Sequence, residues 1–315
     1  MKKFFLVAFA VVFMIIFVDL SFGLIVSRIS PIYTHTECIK IVHNKYDVAI
    51  IGASQVNTQY VTRMLADSLG LKMYSYTQNQ HNIWKHYIWL NLMVHESKYL
   101  PRLIIKEVER DDVHRSTNPA NIRAYQYYGL LNYDDSVAPV VHDFDVDKTS
   151  WMMANISNLY RYNRVMMSMI YNLSHGTIFD EENLGFQGTS LLEYKAPLDT
   201  NRLDATAAID PKKIDYNRRF IRLCKHNNIK LLYVNAPLYM EAPNQVWLDT
   251  LSNILKEENV PFLDFDRDPT FHKLFIKHPE WYYNPNHLNP KGAEQYTRRI
   301  IPYLKETIDS MKIFE

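Results

Sequence analysis

The sequence predicts an α/β fold, a three-layer αβα arrangement around a mainly parallel five-stranded sheet of the flavodoxin-like kind, behind one N-terminal transmembrane helix. Three observations predict it. Short apolar runs alternate with stretches of helical spacing along most of the chain. Strands alternating with helices suit a parallel sheet covered on both faces by right-handed crossovers. Residues 4–26 form an apolar stretch, broken only by Asp19, that is long enough to span a bilayer.

The N-terminal elements come first. Lys2 and Lys3 precede Phe4 to Val18, and after Asp19 the apolar character resumes from Leu20 to Val26. Lysines at the start place that end in the cytoplasm and the remainder outside it, in the periplasm of a Gram-negative cell. Asp19 falls past the middle of the span, toward its exit. Ser21-Phe22-Gly23 matches a signal-peptidase site poorly, and no Cys follows closely enough for a lipoprotein anchor. The expectation is an uncleaved signal anchor over residues 1–28 and an α/β domain over 29–315.

Five strands are expected: Tyr46–Gly52, Leu71–Tyr76, Arg102–Val108, Ile229–Val234 and Val260–Asp264. Helices are expected over Thr58–Leu69, Ile83–Val94, Lys212–Asn227, 245–258 and Pro290 to about Met311. Residues 109–211 break the rhythm with Tyr-rich patches, the acidic segment Asp143, Asp145, Asp147, and one helical pattern over Thr149–Tyr171. This stretch reads as a long insertion beside the site.

Composition narrows the function. The formal net charge is +1 and no run of like charges occurs, so no nucleic-acid surface is expected. The 22 tyrosines read chiefly as packed rings, with a carbohydrate-facing surface as their other use. Cys38 and Cys224 lie far apart and read as buried thiols, although export permits a disulfide. Neither has metal-ligand spacing, and neither a metal nor a cofactor is expected. His81, His86 and His114 show no ligand spacing and suit surface or packing roles. Glu107 and Glu109 flank strand three, where a solvated strand end fits better than a glycosidase carboxylate pair.

Two residues suggest chemistry. Ser54 follows strand one in Ile50-Ile51-Gly52-Ala53-Ser54-Gln55, at the carboxyl end of the sheet, where functional groups collect. A turn there exposes the hydroxyl and aims the Ser54 backbone N–H at the same space, with Gly52 easing the turn. Helix capping is the simpler role for a lone Ser. His287 lies in Tyr283-Asn284-Pro285-Asn286-His287-Leu288-Asn289-Pro290-Lys291-Gly292, before the last helix and at the same end of the sheet. A His there can serve as general base to a Ser nucleophile.

These two blocks resemble the SGNH (GDSL-like) hydrolase superfamily. Ile51-Gly52-Ala53-Ser54 matches its first block, with Ser54 at the nucleophile. Asn284-Pro285-Asn286-His287-Leu288-Asn289 matches its last block, with His287 at the base. Asn235-Ala236-Pro237-Leu238-Tyr239 is similar to membrane-anchored bacterial members related to glycan O-acetylation and D-alanylation proteins. The resemblance implies an exported esterase or O-acyltransferase acting on an acylated glycan or envelope polymer. A catalytically impaired relative that binds glycan or scaffolds an envelope assembly is the alternative. The chain departs from the family at Asn284, where the family carries an Asp. An amide lacks the charge that stabilises an imidazolium and tends to fix the wrong ring tautomer. Asp264, Asp266 and Asp268 are possible substitutes. The family's oxyanion Gly and Asn are also missing, which leaves the Ser54 N–H with Asn79 or Asn82 as candidate donors, the two asparagines being equally suited to helix capping.

Overall fold

The computed structural model describes residues 1–115, 124–144, 147–176, 179–195, 208–240 and 246–314. Asp145 of the expected acidic segment and Gln245 of the expected fourth helix lie outside these residues.

In chain order the elements are α1 (Lys2–Arg28), α2 (Thr36–Val42), β1 (Val48–Gly52), α3 (Ser54–Gln59), α4 (Thr62–Leu69), β2 (Met73–Thr77), α5 (Ile83–Glu96) and β3 (Leu103–Glu107). Then follow α6 (Val137–Phe144), α7 (Lys148–Ile156), α8 (Asn158–Tyr162), α9 (Met166–His175), α10 (Pro211–His226), β4 (Lys230–Asn235) and α11 (Val246–Glu257). The chain closes with β5 (Phe262–Asp264), α12 (Pro269–Phe275), β6 (Tyr282–Asn284), β7 (His287–Leu288) and α13 (Pro290–Ser310).

The contacts divide the chain into two compact units, Met1–Ile39 with Asn118–Ile178, and Lys40–Thr117 with Phe179–Glu315. The second unit holds the five-stranded sheet, ordered β2-β1-β3-β4-β5 and parallel throughout. All of β1, β2 and β3 is buried. Neither face of these strands meets water, so even Ser75, Thr77, Lys106 and Glu107 are enclosed. Strand order reverses beside β1, with β2 on one side and β3 on the other, and the crevice above such a switch point is where α/β sheets bind ligands. Eight tyrosines are among the largest fully buried side chains of the chain, including Tyr60, Tyr74, Tyr76, Tyr233, Tyr282 and Tyr296 in this unit. Cys38 and Cys224 are both buried and reduced.

Two expected helices are interrupted. The pattern over Thr58–Leu69 belongs to α3 and α4, separated by Tyr60, in extended backbone, and Val61. Tyr60 leaves the helix to bury its ring, and its hydroxyl donates to Glu107. The pattern over Thr149–Tyr171 is three helices, α7 to α9. Ser157 stops α7 and starts α8, since its hydroxyl accepts the Tyr160 N–H at 3.1 Å. Such a side-chain cap competes with continued helix.

In the first unit, α1 is long and apolar enough to cross a membrane. Its C-terminal turns pack on α8. The Asp19 carboxylate accepts from the Ser157 hydroxyl at 2.6 Å, the Leu159 N–H at 2.9 Å and the Asn158 N–H at 3.1 Å. Gly23 permits this approach, because a Cβ there would meet the Asn158 side chain at 2.4 Å. Val26 joins Tyr162, Val165 and Met169 in a buried cluster.

Candidate active site

The site forms at the carboxyl ends of β1 and β3. β1 ends at Gly52, and α3 begins at Ser54 without an intervening loop. Gly52 is needed for room rather than for turning. Its φ is not positive, and a Cβ there would meet Val56 Cγ2 at 2.4 Å and Glu107 Cβ at 3.0 Å. The Ser54 side chain is half-buried.

Residues 282–288, just before the last helix, form a short antiparallel hairpin, β6 with β7, in which Asn284 pairs with His287. Several bonds hold it in place. Tyr239 N–H, after β4, donates to the Pro285 carbonyl at 2.9 Å, and Gln59 Nε2 donates to the Asn286 carbonyl at 3.2 Å. Asn289 caps α13 through the Gly292 N–H at 3.0 Å. Gly292 lies so close to the hairpin that a Cβ would meet the Trp281 carbonyl oxygen at 2.0 Å.

This frame brings three predicted residues together. His287 Nε2 is 2.7 Å from Ser54 Oγ, and His287 Nδ1 is 2.9 Å from Asn284 Oδ1. The same Oδ1 accepts the Asn286 backbone N–H at 2.9 Å. A backbone N–H needs an acceptor, so this bond turns the oxygen end of the amide toward the ring. Nδ1 must then carry the proton, and Nε2 presents its lone pair to the Ser54 hydroxyl. The expectation that Asn284 fixes the wrong tautomer is therefore not met. Burial lowers the His287 pKa below its ordinary value, which favours the neutral ring.

The suggested acidic substitutes are engaged elsewhere. Asp264 binds Arg267 and accepts from Asn235 Nδ2 at 2.8 Å. Asp266 accepts the Leu238 N–H at 2.9 Å, and Asp268 caps α12. Asn79 is exposed after β2, and Asn82 is buried at the head of α5 without a side-chain capping bond. Among the described residues, neither is hydrogen-bonded to Ser54, His287 or Asn284.

Other residues lacked a motif and emerge only from the fold. Asn57, on α3, accepts from Thr77 Oγ1 and donates to Gln187 Oε1, both at 3.0 Å. Its carbonyl accepts the Gly188 N–H at 2.9 Å, which docks residues 186–188 beside the helix that carries Ser54. Glu109 accepts the Ala53 N–H at 3.0 Å and so braces the turn before Ser54.

Glu107 and Glu109 do not form a solvated strand end. Glu107 is fully buried and accepts the Ala236 N–H at 2.9 Å in addition to the Tyr60 hydroxyl. Burial pushes its carboxyl up to about 8. Desolvation, with the Asp112 charge adding to it, likewise pushes Glu109 up to about 8. Beneath them the Lys106 ammonium pairs with Asp112 at 2.7 Å in a fully buried ion pair. His81, His86 and His114 are all buried rather than at the surface. His81 and His86 pack on Trp89, and His114 accepts from Arg110 at 3.0 Å. Among the described residues, no group of three or more His, Cys, Asp or Glu could hold a metal ion.

Comparison with protein-family models and with curated proteins finds no match for this chain.

Proposed function

We propose that this protein is a membrane-anchored serine esterase or O-acyltransferase of the SGNH type, acting outside the cytoplasm on an acylated glycan or envelope polymer. The observation that carries the proposal is the hydrogen-bonded relay Asn284–His287–Ser54, with bonds of 2.9 and 2.7 Å, above the switch point of a parallel sheet. Ser54 Oγ attacks the ester carbonyl carbon while its proton passes to His287 Nε2. The carbonyl oxygen becomes an oxyanion, for which the Ser54 backbone N–H is the proposed donor. The ester C–O bond then breaks, and the imidazolium returns the proton to the departing alcohol. Water or a sugar hydroxyl next attacks the acyl-enzyme, with His287 again as base, and frees Ser54.

Asn284 favours a second reading, a glycan-binding relative with little turnover, because a neutral amide does not offset the imidazolium charge. Turnover of 4-nitrophenyl acetate and labelling by a fluorophosphonate probe separate the two. An esterase is labelled, and Ser54→Ala loses both label and turnover. A wild type that neither turns over ester nor takes up the probe favours the binding reading.

A further inference from the structure

The first unit exposes an apolar surface that its own fold leaves uncovered. In α9, Met169 and Asn172 face inward, and Asn172 is fixed by its Nδ2 donating to the Tyr33 carbonyl at 2.7 Å. Elsewhere on this helix Met166, Met167, Ile170 and Leu173 are 40%, 74%, 53% and 44% exposed. Ile156 at the end of α7 and Leu159 in α8 add 70% and 38%. The outward stripe of a water-exposed helix is ordinarily polar, and contiguous apolar patches of this kind mark interaction surfaces. From Lys148 to His175 the sequence contains no Asp or Glu.

The position of this surface along α1 identifies its partner. The hydrocarbon core of a bilayer takes about 20 helical residues. Counted from Phe4, that length ends at Gly23. The contacts that hold α8 and α9 against α1 are made at Asp19, Gly23 and Val26. The two short helices are therefore held where hydrocarbon gives way to headgroups. Asp19 would be costly against acyl chains, but the Ser157 hydroxyl and two backbone N–H groups of α8 satisfy it at that level.

We propose that α7, α8 and α9 form an interfacial membrane platform, with the side chains of Ile156, Leu159, Met167 and Ile170 seated among the lipids of the leaflet from which α1 emerges. Leu20, Leu24 and Ile25 at the same level of α1 are also exposed. The segment 148–175, which has no acidic residue and begins at Lys148, suits anionic headgroups. The segment 148–175 then serves to hold the first unit flat on the bilayer. The proposal rests on α1 being a membrane span.

Full-length protein in phosphatidylethanolamine/phosphatidylglycerol vesicles tests it, with an environment-sensitive fluorophore on a single introduced cysteine. Cys38 and Cys224 are buried and leave the background low. Labels at Met167→Cys and Ile170→Cys are expected to be quenched at least about two-fold more by a shallow lipid-borne nitroxide than a label at the exposed Lys273→Cys. A label at Val12→Cys, in the middle of α1, reports the span through a deep nitroxide. Quenching at Val12 with none at Met167 or Ile170 overturns the platform and leaves the span intact. No quenching at Val12 overturns the span and the platform with it.

Discussion

Asn284 Oδ1 lies 2.9 Å from His287 Nδ1 and accepts the Asn286 N–H at the same distance, so a neutral side chain sets the tautomer that a carboxylate usually sets. It orients the His287 ring without the charge that would stabilise an imidazolium. In a serine-protease triad, exchanging the carboxylate for an amide costs about 10⁴-fold in turnover, because the tautomer is wrong. Here the tautomer is already correct, and only the charge is missing. Asn284→Asp is expected to raise kcat on an acetyl ester by about tenfold, well short of that 10⁴. Unchanged or lower turnover in a folded variant would count against the relay.

The pH profile gives an independent test. Burial lowers the His287 pKa from its ordinary 6.5, so the wild-type base remains neutral below that pH. The acid limb of kcat/KM is expected below pH 6.5. In Asn284→Asp a carboxylate favours the imidazolium, raises the pKa and moves the limb to higher pH. A rate profile of both proteins from pH 4 to 9 checks the direction.

Glu107 makes stability depend on pH. Its carboxyl is held at about 8 in the folded protein, against an ordinary value of 4.5. Below 4.5 both states hold the proton. Between the two values the folded chain keeps a proton that the unfolded chain has released, so stability falls as pH rises. Each unit of difference is worth about 1.4 kcal/mol. Glu107→Gln keeps an acceptor for the Ala236 N–H and is expected to flatten the fall in Tm between pH 5 and 8. Glu109, shifted the same way, retains part of the slope.

The docked segment beside α3 depends on Gly185. Its φ is +89°, and a Cβ would lie 2.2 Å from the Ser75 carbonyl oxygen of β2. Gly185→Ala is expected to cost about 1–3 kcal/mol in urea unfolding. It should also loosen Gln187 from Asn57, seen as faster hydrogen exchange at Gln187 and Gly188.

Asp19 fastens α8 to α1 through three short bonds. Asp19→Leu makes α1 more apolar but leaves the N–H groups of Asn158 and Leu159 without this acceptor. The expected result is unchanged membrane insertion, with faster proteolysis between residues 148 and 175. The loss should be about 1–3 kcal/mol of local stability, the net worth of hydrogen bonds to a charged group.

The fold class could be read from the sequence because short, mostly apolar runs alternate with stretches of helical spacing. Tyr46–Gly52 and Arg102–Val108 announced β1 and β3 to within two residues at each end. Ser54 and His287 could be read because both fall where a parallel sheet exposes its carboxyl ends. The helix breaks at Tyr60 and Ser157 could not be read. Helical periodicity continues across them, and what stops each helix is a side chain whose destination is distant or a cap that competes locally.

The sequence by itself determined the alternation of elements, the apolar span and the placement of Ser54 and His287 at the carboxyl end of the sheet. Hydrophobic period and length decide these locally, whatever the neighbours. Only the tertiary structure decided what Asn284 does, because the orientation of its amide depends on the Asn286 N–H presented by the hairpin. It alone decided that Glu107 is a buried acid rather than a solvated one, since burial is set by Tyr60 and Ala236, which lie 47 and 129 residues away in the chain. Local pattern fixes which residues form an element. The electrostatic character of a side chain depends on what packs around it, and that is known only once the chain has folded.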